Sequence, residues 1–166
     1  MEEKICSFTG HRQIKREHLS ALPDLLYKSI EYAYSQGCRS FLSGGAIGFD
    51  TYAARAVIKF RIFHRDVRLI LVLPCIDQDA KWNDAQKNAY QYLIREADEI
   101  VYLSDEYTPT CMARRNHYLA KEADILVAYL ERSGSGAGQT VRMANELGKT
   151  VFNLYGRLEK EIQNRE

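Results

Sequence analysis

Val67-Arg68-Leu69-Ile70-Leu71-Val72-Leu73, closed by Pro74, is the stretch that decides the fold. An almost wholly apolar run of this kind fits a central parallel strand buried on both faces. Reading outward, the same grammar repeats. Ile5 to Phe8 reads as a strand, and Leu19 to Ser35 carries Leu22, Leu25, Leu26, Ile30 and Ala33 at helical spacing before a stop at Gly37. Arg39 to Leu42 is a short strand, and Asp50 to Phe63 is a helix with Ala53, Ala54, Val57, Ile58 and Ile62 on one face. Beyond Pro74, a helix is expected over Asn83 to Ala97, a strand over Glu99 to Leu103, a helix over Cys111 to Ala123 and a strand over Asp124 to Tyr129. A helix from Gly138 to Leu147, a strand from Val151 to Leu154 and a polar, helical tail over Leu158 to Asn164 complete the chain. Strand and helix alternate throughout, which predicts a Rossmann-like α/β fold: a doubly wound, mainly parallel sheet with helices on both faces.

With 166 residues, 46% of them apolar, the chain matches one domain with a sizeable core, residues 1–166 forming a single unit. The formal net charge is +1, so nothing general draws the chain to nucleic acid or to a membrane surface. The sequence starting at Met1-Glu2-Glu3-Lys4 has neither a signal-peptide pattern nor a membrane-length apolar run, so a cytoplasmic protein is expected. Cys6, Cys38, Cys75 and Cys111 form no Cys-x-x-Cys pair and the histidines have no metal spacing, so neither a disulfide framework nor a metal site is expected. Cys6 and Cys38 read as small buried hydrophobes, and Cys111 reads as an inert thiol, with a pKa lowered by the helix start as the alternative.

Chemistry concentrates in the turns after the strands. In a parallel sheet all strand C-termini emerge at one edge, so Thr9-Gly10-His11-Arg12, Ser43-Gly44-Gly45-Ala46-Ile47-Gly48, Pro74-Cys75-Ile76-Asp77-Gln78 and Ser133 to Thr140 should converge. Glycines let a ligand approach the backbone, and helix N-termini present unpaired N–H groups to an anion. The Gly44-Gly45-x-x-Gly48 spacing is not the dinucleotide fingerprint, and no Walker lysine follows. Asp50 complements the dipole of the helix it opens. Thr9, Gly10, His11 and Arg12 supply a hydroxyl, a flexible backbone, a titratable ring and a bidentate cation, a set suited to phosphate or carboxylate. The loop Ser133 to Thr140, with Gly136, Gly138 and Thr140, reads either as a backbone nest of the kind that holds phosphate oxygens or as a flexible linker. Arg114, Arg115, Asn116, His117 and Tyr118 sit in the first turns of a helix, where cations oppose the dipole and call for an anion; Asp105 and Glu106, just upstream, are an alternative source of compensation. Trp82 and Tyr90 could stack on a base or belong to the core.

Taken with Ser7 to Arg12, Gly44 to Ala54, Leu73-Pro74-Cys75 with Asp77, Gln78 and Trp82, and Tyr107 to Met112 with Arg115 to Tyr118, the chain resembles the YpsA-like family of the SLOG superfamily, which also includes DNA-processing protein A and the Lonely-guy phosphoribohydrolases. The resemblance implies a Rossmann-like domain that binds nucleotides or nucleotide-derived ligands. Lonely-guy enzymes resemble one another in a Pro-Gly-Gly-x-Gly-Thr-x-x-Glu segment; here Arg142 falls near the position of that acid, with Glu146 one turn further.

The leading expectation is a cytosolic binding module, with a sensor role open, for a nucleotide or ADP-ribose-like ligand, its phosphates met by Gly44, Gly45, Gly48, Gly136, Gly138 and Thr140 and its charge by Arg12 and Arg115. Asp50 and Asn116 would contact ribose or orient the loops, with Thr9, Gly10, His11 and Ser43 completing the site. No cofactor is specified and no catalytic constellation is complete. One alternative is N-glycosidic hydrolysis of a nucleotide, for which Asp50, Asp77 and Glu146 are the candidate acids. Another is single-stranded DNA binding, against which the near-zero charge argues. Assembly into a homo-oligomer stays open.

Overall fold

The computed structural model describes residues 2–132 and 134–165; Ser133, the first residue of the last glycine-rich turn, lies outside them. The strands are β1 (Lys4–Gly10), β2 (Cys38–Ser43), β3 (Arg68–Leu73), β4 (Glu99–Tyr102), β5 (Ile125–Tyr129) and β6 (Thr150–Asn153). The α-helices are α1 (Leu22–Ser35), α2 (Phe49–Arg61), α3 (Asp84–Glu96), α4 (Cys111–Glu122), α5 (Gly136–Glu146) and α6 (Leu154–Arg165). All the strands pair in parallel in the order β4-β3-β2-β1-β5-β6. The chain has the Rossmann-like α/β fold.

Alternation along β1 shows the two layers. Cys6 and Phe8 join the larger core beneath α1, α2, α3 and α6, which also holds Phe41, Leu69, Leu71, Ile125 and Val127. The opposite face is covered by α4 over Leu42 and Val72, and by α5 over Leu126. Both faces of β5 are covered and all five of its residues are buried. The chain leaves β1 toward the α1 layer and leaves β5 toward the α5 layer, so the adjacent ends of these two strands diverge and open a cleft between them.

Element ends differ from the sequence reading where side-chain hydrogen bonds decide them. The helix expected from Leu19 begins at Leu22, with a 3-10 turn at Arg16–His18 before it. Asn83 is the N-cap of α3, its side chain accepting from the Gln86 N–H while the Gln86 side chain accepts from the Asn83 N–H. α5 starts at Gly136 rather than Gly138, because the Ser135 hydroxyl caps it by accepting the Gly138 N–H at 3.1 Å. α6 runs from Leu154, where a strand end was expected, burying Leu154 and Leu158. Two Ala-Asp pairs mark the ends of α3 and α4: Asp98 accepts the Leu69 N–H at 2.7 Å and Asp124 the Ile5 N–H at 2.8 Å. Each carboxylate thereby pairs a backbone donor at the start of a neighbouring strand.

Candidate functional site

The cleft at the diverging ends of β1 and β5 is a crevice of about 300 Å³. β1 supplies Thr9, and the turn after it His11 and Arg12; the turn after β2 supplies Ala46 and the first turn of α2 Asp50. α4 contributes Met112, Arg115, Asn116 and Leu119, spaced i, i+3, i+4 and i+7 and therefore on one helix face. The N-terminus of α5 closes the crevice with Ser135, Gly136 and Ala137.

Arg115 is the centre of the arrangement. It is 6% exposed, its Nη1 donating to the Gly44 carbonyl at 3.1 Å and its Nε to Asn116 Oδ1 at 2.9 Å. Asn116 Nδ2 in turn donates to the Gly136 carbonyl at 3.4 Å, tying α4 to α5. The acid that balances Arg115 is Asp50, itself 5% exposed; Asp105 and Glu106, the sources considered from sequence, are not in the crevice wall. Asp50 Oδ2 accepts the Ala46 N–H at 3.3 Å, and burial pushes its carboxyl up to about 6, against the opposing pull of Arg115, that N–H and Arg12. Burial lowers the pKa of Arg115, with Asp50 opposing. A guanidinium stays charged regardless. Neither Arg12 nor Arg115 forms an ion pair among the described residues, so two cations face one buried acid.

The glycines of the second turn shape the site from behind. A Cβ on Gly44 would stand 2.5 Å from Arg115 Nη1 and 2.9 Å from Asp50 Oδ2, so this position must be bare for the two charges to flank it. Gly48 adopts φ 88° and ψ −126°, a region open essentially to glycine, and a Cβ there would run into the Arg12 carbonyl. The Phe49 N–H then donates to the His11 carbonyl at 3.1 Å, stitching the first two turns together. Ser43 is buried, its hydroxyl donating to the Asp50 carbonyl at 2.9 Å and accepting the Gly45 N–H at 3.2 Å. Gly45 faces Leu73 and Tyr90.

Thr9, Gly10, His11, Arg12, Asp50, Arg115, Asn116 and Gly136 thus come together in the crevice wall, whereas Ser43, Gly44, Gly45, Gly48, Gly138 and Thr140 stand outside it. Thr140 is fully buried and its hydroxyl donates to the Gly136 carbonyl at 3.1 Å. The turn from Pro74 to Gln78 does not line the crevice; it reaches the second turn through Gln78 Nε2, 3.3 Å from the Gly44 carbonyl. Trp82 and Tyr90 pack edge to face on each other, 5.1 Å between ring centroids, away from the crevice. Cys6, Cys38, Cys75 and Cys111 are all buried free thiols, and burial pushes Cys75 up to about 11. No cluster of potential metal ligands occurs among the described residues.

Crevice residues the sequence reading missed are Ala46, Met112, Leu119, Ser135 and Ala137. Two signals could have found some of them. Met112 and Leu119 flank Arg115 and Asn116 on a stripe that an ordinary packed helix fills with apolar side chains, and Ser135 stands three residues before Gly138 as an N-cap does.

The fold of solved structures at low identity agrees with this architecture. DNA processing protein A of Streptococcus pneumoniae superposes with a TM-score of 0.66 at 18% identity over 91% of this chain, which spans 50% of that one. For DNA processing protein A of Helicobacter pylori, a single-stranded DNA-binding protein, the TM-score is 0.65 at 16% identity, covering 90% of this chain and 64% of that one. Among curated sequences, the uncharacterized SPbeta prophage-derived protein YoqJ of Bacillus subtilis (strain 168) is 26% identical over 86% of this chain and 88% of its own length. A UPF0398 protein of Bacillus cereus (strain G9842) is 19% identical over 97% and 94% respectively. No helix among the described residues is long and apolar enough to cross a membrane. The family model described as the YspA SLOG family matches residues 8–150, crevice included, and the chain belongs to that family.

Proposed function

We propose that the protein is a binding module for a nucleotide or a nucleotide-derived, ADP-ribose-like ligand, held in the crevice between β1 and β5. Membership of the SLOG family and the fold support a nucleotide-related role in general terms. The observation that carries the reading is electrostatic: Arg12, Arg115 and the N-terminus of α5 meet in one concavity with Asp50 as the compensating acid. The Gly138 N–H of α5 is taken by its cap, whereas Gly136 and Ala137 precede it in the first turn and line the crevice. These N–H groups and the two guanidiniums suit phosphate oxygens. Asp50 and Asn116 suit the hydroxyls of a ribose, and Ala46, Met112 and Leu119 suit the faces of a ring.

Of the acids named for a hydrolytic reading, only Asp50 lines the crevice; Glu146 ends α5, at the opposite end of that helix. Calorimetric titration with a panel of nucleoside mono-, di- and triphosphates tests the proposal. Saturable binding of at least one member, weakened at least about tenfold by Arg12→Ala, is the expected result. A silent panel with folded protein overturns it. A second reading, single-stranded DNA, is favoured by the fold shared with DNA processing protein A. A steeply salt-dependent mobility shift with an oligonucleotide supports that reading, and no shift at low salt removes it.

A further inference from the structure

Among the described residues the sheet ends at β6 with no neighbour on its outer side. Edge strands are ordinarily guarded by charge, proline or a bulge. Thr150-Val151-Phe152-Asn153 carries no charge and no proline, and its register with β5 runs unbroken from Thr150 to Asn153. Lys149, just before it, is turned aside, its Nζ donating to the Lys121 carbonyl at 3.0 Å. The opposite edge, β4, is different: it opens on Glu99, ion-paired with Arg68 at 3.1 Å. We infer that the outer edge of β6 is a docking site for an extended, acidic segment of a partner protein, which adds to the sheet as a further strand.

The backbone supplies the ladder. Thr150 turns toward β5, its N–H donating to the Asp124 carbonyl at 3.4 Å, so strand alternation turns the N–H and C=O of Val151 and the N–H of Asn153 outward. Asn153 is held to β5 by its side chain instead, Oδ1 accepting the Leu130 N–H at 3.1 Å and Nδ2 donating to the Leu130 carbonyl at 2.8 Å. The edge is therefore fixed in strand geometry while its outer groups face away from the sheet. Side chains supply the selectivity. A groove of about 510 Å³ runs beside the strand between α1 and α6, floored by the buried Leu25 and Leu154 and walled by Tyr32 and Phe152. These two rings meet edge to face at 5.4 Å yet stay 48% and 37% exposed, an apolar seat for a side chain of an added strand. The charged residues of the groove are Lys28 and Arg157; neither forms an ion pair among the described residues, and no described acid lines it. The acids of α1, Asp24 and Glu31, line the neighbouring hollow toward α2, which Lys28 also borders. Carboxylates on an incoming segment complement this charge. A second copy does not, because a twofold contact sets Lys28 and Arg157 against the same two cations.

The test is selection of a displayed library of random peptides on the full chain, with the affinity of enriched peptides then measured by fluorescence anisotropy. The expected result is enrichment of peptides that alternate apolar residues with Asp or Glu, bound at least about tenfold more weakly when Lys28→Glu and Arg157→Glu are combined. Binding should also slow amide exchange at Val151 and Asn153, a change that contact with the groove side chains alone would not produce. Val151→Pro deletes the outward N–H at a position where an edge strand tolerates proline, and should abolish binding. Circular dichroism confirms folding, and the charge reversals, at exposed helix positions, keep the test decisive if the proline variant does not fold. Enrichment of nothing, of basic peptides, or of peptides indifferent to these substitutions and to exchange at the two amides overturns the inference. A dimer of the parent chain in sedimentation that Val151→Pro dissolves gives the edge to a second copy and overturns it as well. None of these outcomes bears on the crevice, so nucleotide binding stands or falls separately.

Discussion

At the scale of single residues, Asp50 and Arg115 set the chemistry because both are buried and neither is neutralised by a close ion pair. The Asp50 carboxyl titrates at about 6 in the fold against an ordinary 3.8, so the folded state holds its proton more tightly than the unfolded state does. With this sign, stability falls as pH rises from about 4 to about 6 and is level above that window. Asp50→Asn keeps an acceptor for the Ala46 N–H and removes the charge. It should abolish that part of the pH dependence and raise stability at pH 7 by on the order of 3 kcal/mol, measured as urea midpoints from pH 4 to 7. A variant no more stable than the parent at pH 7 would contradict this account. Arg115→Met acts the other way: it strips the Gly44 carbonyl and Asp50 of their cation, and a loss of roughly 1–3 kcal/mol is expected by chemical denaturation. Gly48→Ala should cost at least about 2 kcal/mol, since a side chain is strained at this backbone conformation and its Cβ would run into the Arg12 carbonyl; a melting temperature within a degree of the parent would refute it.

At the scale of elements, the turn that presents His11 and Arg12 is held from behind by α6. The Tyr129 hydroxyl accepts the Lys15 N–H at 3.1 Å and is hydrogen-bonded to His18 Nδ1 at 2.6 Å. His18 Nε2 donates to Glu159 Oε1 at 2.8 Å, and Lys15 Nζ reaches the same oxygen at 2.8 Å. A fully buried histidine is thereby satisfied on both nitrogens. Tyr129→Phe leaves the ring packed on Phe49 and Tyr155 but strands the Lys15 N–H and His18 Nδ1. A cost of about 1–3 kcal/mol is expected, together with faster amide exchange at Lys15 than in the parent. Unchanged exchange at that amide would show that the hydroxyl does not hold the turn. α4 works differently: the stripe Met112, Arg115, Asn116, Leu119 places two polar residues where packing alone would call for apolar ones, and the crevice is the reason.

At the scale of the whole molecule, a ligand bound only by the folded chain must stabilise it, by about 2.7 kcal/mol at a concentration one hundred times Kd. A nucleotide found in the calorimetric panel should therefore raise the unfolding midpoint of the parent and, at the same concentration, raise it less in Arg12→Ala; equal shifts would place the ligand elsewhere. The architecture behind this was legible from local pattern. The uniform apolar run ending at Leu73 and the helical periods of Leu22 to Ala33 and Ala53 to Ile58 depend on neighbours a few residues apart, so the alternation of strand and helix, the parallel sheet and the gathering of its turns at one edge could be read directly. What local pattern carries no record of is strand order and the direction each turn takes out of the sheet. Those place β1 beside β5 and send their turns to opposite faces, so that Thr9 to Arg12 and Gly136 enter the wall while Gly138 is held by its cap and Thr140 is buried a turn further along α5. They also pair Arg115 with Asp50, sixty-five positions away, rather than with the nearer Asp105 or Glu106. Sequence alone thus determined which residues could bind an anion; only the packed sheet decided which of them share one volume of low dielectric, because burial and charge compensation are properties of neighbours in space.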